Sequence, residues 1–115
     1  MIELTEITAT LLYESLEAAG LSKDCGLRLI REDGRLNLHL DLSQPNDWVI
    51  AYKNRLLIII CSASDIGNEV CIIDTLFDDN GPTLILRKIS DGSLTEEGIR
   101  EMKLANCGVI NISNN

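Results

Sequence analysis

Aromatic side chains are scarce in this chain. Trp48, Phe77, Tyr13 and Tyr52 make up 3% of its 115 residues, so Leu, Ile and Val must fill the core, and its packing rests on aliphatic shape. Basic residues are also few. Ten Lys and Arg stand against 18 Asp and Glu, for a net charge of −8. No basic run or stripe breaks that balance. Nucleic-acid affinity rests mainly on Lys and Arg neutralising phosphates, so a nucleic-acid partner is not expected. The acid is spread along the chain and reads as a solubilising surface. Long apolar runs are missing too. The longest, Leu56 to Cys61, has six residues, against about 20 for a membrane span. The start Met1-Ile2-Glu3-Leu4-Thr5 shows neither a basic segment nor an uninterrupted apolar run. The reading is cytoplasmic, with no membrane partner. Four cysteines occur, Cys25, Cys61, Cys71 and Cys107, with no Cys-x-x-Cys pair among them. That spacing discounts a structural zinc site, and a cytoplasmic chain keeps such thiols reduced.

What is present is mostly strand pattern. "LTEITATLLYESLEAAG" is the exception: Leu4, Ile7, Leu11, Leu12 and Leu16 recur at helical spacing, with Thr5 as N-cap and Gly20 as the residue that ends the helix. From Gly26 the period becomes two. "GLRLIR" and the alternating Leu36, Leu38, Leu40 and Leu42 form a hairpin around Asp33-Gly34, which supplies the positive φ angles of a tight turn. Residues 48–52 and 56–61 give two further strands, the second apolar on both faces and therefore central. Residues 70–74 and 83–89 give two more, with "LFDDNGP" as the loop between them. In the tail, Ser93 and Glu96 match a capping box and Gly108 a stop, which predicts a C-terminal helix over Thr95 to Leu104. The expected fold class is α+β: a β-rich domain of small, mostly antiparallel or mixed sheets, with an N-terminal and a C-terminal helix.

Few residues suggest chemistry. His39, the sole histidine, sits on the polar side of a leucine strand and reads as solvent-facing. No nucleophile is positioned near it, and no Gly-x-Ser-x-Gly elbow occurs, so no residue is assigned a catalytic role. "DTLFDDNG" (74–81) lacks the spacing of an EF-hand and is ordinary turn chemistry. Cys61 and Cys71 lie within apolar strands and are expected in the core. Cys25 and Cys107 flank elements beside glycine and are the candidates for exposed thiols.

These features fall in a familiar order. "IELTEITATLLYESLEAAG", "GLRLIR", "LNLHLDL", "DWVI" with its following apolar strand, and "VCIIDTLFDDNGPTLIL" together resemble the HesB-like A-type carriers of iron–sulfur cluster assembly. The resemblance covers residues 1–89, with residues 90–115 as a C-terminal helical extension. It implies a compact β-rich fold with a helix packed against small mixed sheets. It also implies a role in binding iron or an Fe–S cluster and passing it to apoproteins, often as an oligomer. Cluster iron is held by thiolates, usually four. In the family, one cysteine follows the "LRL" strand in a Cys-Ser-Gly turn, and two more form a Cys-Gly-Cys near the C-terminus. Here the turn is "REDGR", and "ANCGVI" keeps one Cys-Gly.

The resemblance and its departures imply a divergent member without the standard ligands, a non-enzymatic binding module with no expected cofactor. Its partner would be a protein, a small molecule or a second copy. The alternative is a carrier of iron or an Fe–S cluster that uses Cys25, Cys107 or both as non-standard ligands. A small enzyme built around His39 is the third reading.

Overall fold

The computed structural model describes residues 2–62 and 70–103. In chain order the elements are β1 (Ile2–Leu4), α1 (Glu6–Ala18), β2 (Cys25–Glu32), β3 (Arg35–Leu42), β4 (Asp47–Tyr52), β5 (Arg55–Cys61), β6 (Val70–Asp78), β7 (Gly81–Ser90) and β8 (Ser93–Lys103). The eight strands form one sheet in the order β1-β6-β7-β8-β3-β2-β5-β4. The pairs β1–β6, β2–β5 and β3–β8 are parallel; the four hairpins are antiparallel.

The expected α+β class with two helices and several small sheets is therefore corrected. The described residues form a mostly stranded, barrel-like sheet with one short helix. The C-terminal helix placed over Thr95 to Leu104 is strand β8 through Lys103, and Leu104 lies outside the described residues. The reason is the turn before it. Asp91 and Gly92 both take positive φ, 52° and 80°, and a two-residue turn of that kind matches the twist of paired strands. It sets Arg87 opposite Glu96, with Arg87 Nε donating to Glu96 Oε2 at 2.6 Å. Glu97 in turn accepts both Arg31 Nη1 and Nη2, at 2.7 and 3.1 Å. Residues of good helix propensity thus serve as cross-strand partners, and tertiary pairing overrides propensity.

The first helix forms as expected. Thr5 has extended backbone and its hydroxyl accepts from Thr8 N at 3.4 Å. At the other end Leu21 N bonds Leu16 O and Gly20 N bonds Glu17 O, the reciprocal pattern that a left-handed Gly20 permits. Thr8, Ala9, Leu12 and Leu16 are its buried face, packed against β5 and β6. Ile7 lies off that face and is exposed. The core continues through Leu27 and Leu29, Leu36, Leu38 and Leu40, Ile58 and Ile60, and Ile73. Residues 57–60 are all buried, so β5 is covered on both faces, although it lies next to edge strand β4. Gly26 is required by close approach: a Cβ there would lie 2.7 Å from Leu56 Cγ.

Candidate functional site

The β2–β3 hairpin closes through Asp33 and Gly34, with φ of 52° and 77°, and pairs without a gap from Glu32 opposite Arg35 to Cys25 opposite Leu42. The alternation puts the leucines of β3 inward and Asn37, His39 and Asp41 outward. Arg28 stands opposite His39 and Ile30 opposite Asn37 on that outer face. Two polar clusters result.

Near the turn, Glu32 Oε1 accepts Asn37 Nδ2 at 2.6 Å and pairs with His39 Nε2 at 3.0 Å. An ionised carboxylate only accepts, so His39 carries its proton on Nε2 in this contact. The same Asn37 accepts Arg100 Nε at 3.2 Å through Oδ1, so both ends of this fully buried amide are satisfied. Arg100 is aimed there by a bulge. Leu36 pairs with Ile99 and Asn37 with Glu101, leaving Arg100 as the extra residue. His39 is thus only partly exposed and sits in a hydrogen-bonded cluster rather than facing open solvent.

Further along the hairpin, Arg28 forks between two carboxylates. Its Nε donates to Asp41 Oδ2 at 2.7 Å; Nη1 and Nη2 donate to Asp47 Oδ1 and Oδ2 at 3.1 and 2.7 Å. The Arg28 bond, reinforced by Gln44 N–H, holds the Asp47 carboxyl below the usual carboxylate range, and the two carboxylates raise Arg28. On β6, Asp74 accepts from Arg87 Nη1 and from Thr75 N, and Thr5 Oγ1 donates to it at 2.9 Å. These bonds, the Arg87 one first, lower Asp74 too. The proton of Thr5 is committed to Asp74. The Thr8 hydroxyl therefore donates to Thr5 at 2.8 Å, and Thr75 donates to Thr8 at 2.7 Å. This chain pins the start of α1 to β6.

Both carboxyls have folded values lowered from 3.8. Their stabilisation is full above the unfolded value and is lost as pH falls through the folded value. Urea midpoints measured from about pH 6 down to about pH 2 are expected to fall steeply below about pH 4. Asp47→Asn should lower the midpoint at neutral pH and flatten the acid limb. An acid limb unchanged by that substitution would refute the linkage.

The cysteines do not converge. Cys25, expected to be exposed, is buried at the start of β2, on the inward face with Leu27 and Leu29. Cys61, expected in the core, is exposed at the end of β5; Cys71 is buried on β6, as its strand suggested. Leu27 pairs with Ile58 in parallel, so Cys25 and Cys61 lie toward opposite ends of the two strands. Cys107 lies outside the described residues. Among the described residues no group of three His, Cys, Asp or Glu could hold a metal ion. Also among them, no helix is long and apolar enough to cross a membrane.

The sequence reading missed the Glu32–Asn37–Arg100 cluster and the buried Arg55. Two-residue turn chemistry at Asp33-Gly34 fixes the register that brings Asn37 and His39 within reach of Glu32; Arg100 needed knowledge of β8.

No protein-family model matches the chain, and no curated protein matches it in sequence. Solved structures share the fold, among them SufA and IscA. SufA of Escherichia coli, involved in biosynthesis of iron–sulfur clusters, aligns with a TM-score of 0.56 at 16% identity, over 76% of this chain and 84% of SufA. IscA with a 2Fe–2S cluster aligns with a TM-score of 0.51 at 16% identity, over 87% of this chain and 100% of IscA.

Proposed function

We propose that this chain belongs to iron–sulfur cluster biogenesis as a divergent HesB-like protein that has lost the standard cluster site. It acts as a non-enzymatic binding module for a protein or small partner. The shared fold with SufA and IscA supports the biogenesis setting. The observation that carries the loss is the Asp33-Gly34 turn. Where the resemblance calls for a glycine-rich turn presenting a thiolate, β2 and β3 close through two residues, neither of them cysteine. The burial of Cys25 supports the same reading.

Anaerobic purification followed by reconstitution with iron and sulfide tests it. The expected result is iron well below one per chain and no thiolate-to-iron absorption bands. A stable stoichiometric cluster overturns the proposal. If such a cluster then disappears in the Cys25→Ser, Cys107→Ser double variant, the carrier reading with non-standard ligands replaces it.

A further inference from the structure

Among the described residues the sheet has two edges, β1 and β4, and they face each other across the start of α1. Leu4, Glu6, Ala9, Ile50, Ala51 and Tyr52 line the cleft between them, about 460 Å³ in volume. An edge strand offers a row of N–H and C=O groups to any extended chain. Proteins usually blunt such edges with Lys, Pro or very short strands. β1 is blunted by its length of three residues. β4, with the sequence Asp-Trp-Val-Ile-Ala-Tyr, has six residues and contains neither Lys nor Pro.

The faces of β4 are also unfinished. Trp48, Ile50 and Tyr52 alternate onto the inner side, where Ile50 and Tyr52 pack against the core. Trp48 stands opposite the buried Ile60 yet remains 60% exposed, and Val49 on the other face is 50% exposed. The apolar surface of the strand extends past what the fold covers.

We infer that this cleft takes an extended segment of a partner protein, added as a strand along β4. Its apolar side chains alternate toward Trp48 and Ile50, and a Lys or Arg meets Glu6. A single extended segment fits a gap bounded by two edges, whereas the β4 of a second copy would bring its whole sheet behind it. Among the described residues Glu6 is the one charged residue lining the cleft, and complementary charge sets which segment enters. The net charge of −8 likewise favours a partner segment that carries Lys or Arg. The inference deepens the binding-module reading and rests on it.

Trp48 is the single tryptophan, so intrinsic emission reads this edge alone. The full chain is titrated with a short synthetic peptide in which Val alternates with Thr and Lys, and with its counterpart carrying Glu for Lys. The expected result is a saturable blue shift with the Lys peptide and binding about tenfold weaker for the Glu peptide. Glu6→Lys reverses that preference. Glu14→Lys makes the same charge change at an exposed position of α1 outside the cleft and leaves the preference intact. The inference is overturned by no saturable shift, by equal response to both peptides, by an unchanged preference in Glu6→Lys, or by a shift that grows with protein concentration alone. Cluster reconstitution is read separately: a chain that builds a cluster and still takes the peptide overturns only the loss of the site, and one that does neither overturns only the cleft.

Discussion

Replacing Arg55 by alanine is expected to remove about 3–5 kcal/mol of unfolding free energy. Arg55 is fully buried at the start of β5. Its three nitrogens reach three segments: Nε donates to Glu17 Oε2 at 2.6 Å, Nη1 to the Cys25 carbonyl at 3.3 Å, and Nη2 to the Leu21 carbonyl. The guanidinium therefore joins α1, the connection after it and β2 to β5. Truncation strands two carbonyls that water reaches poorly, at about 1–3 kcal/mol each, and opens a cavity. Glu17 is a different case. Its own side chain is 42% exposed and is resolvated when Arg55 is removed, whereas Glu17→Gln keeps an acceptor for Arg55 Nε but takes the counter-charge from a fully buried guanidinium, and should cost about 1–3 kcal/mol. Arg55→Lys keeps the charge but not the planar fork and should lose most of what alanine loses. Urea unfolding at constant m-value measures all three. An Arg55→Ala loss no larger than that of Glu17→Gln would show that the two carbonyl bonds contribute nothing.

The second large effect lies in β3. Leu38→Ala is expected to cost about 3–5 kcal/mol, the range for a fully buried leucine whose site cannot collapse. Leu38 has no exposure and sits between Leu29 on β2 and Met102 on β8. Leu42→Ala on the same strand and the same inward side should stay within about 0.5 kcal/mol, because Leu42 is 50% exposed. The alternation of four leucines does not distinguish these two positions; the structure does. Equal losses at both would mean that the core extends along the whole strand.

That contrast shows where pattern reading stops. Local chemistry was legible wherever a few neighbouring residues decide the outcome. Thr5 and Gly20 bound α1, and Asp33-Gly34 closes the β2–β3 hairpin. Legibility ended where distant segments decide. Ser93, Glu96 and Glu97 suit a helix in isolation, but pairing with β7 and β3 makes them strand residues, with Arg87 and Arg31 taking up the two carboxylates. Asp91-Gly92 carried the same turn chemistry as Asp33-Gly34 and was the available clue. The thiols follow the parity of their strands. Extending the inward side of Leu29 and Leu27 back by two reaches Cys25, and extending that of Ile58 and Ile60 by one places Cys61 outward. For the candidate site, the turn lacking a cysteine was legible. The buried Asn37 and its bond to Arg100 were not, since they depend on a bulge in a strand read as helix.

The position of β8 also bears on how the chain reaches this fold. β2, β3, β4 and β5 make one four-stranded set, and β1, β6 and β7 another; among the described strands β8 is the one that pairs with both, with β7 on one side and β3 on the other. Its bond to β7 is a local hairpin. Its parallel bond to β3 brings Ile99 beside Leu36, closing a loop of more than half the chain's 115 residues. Such closures carry a chain-entropy cost before any contact rewards them and slow folding. Until β8 is seated, β3 presents an open edge, and the packing of α1 against β5 and β6 is what holds the two half-sheets to each other.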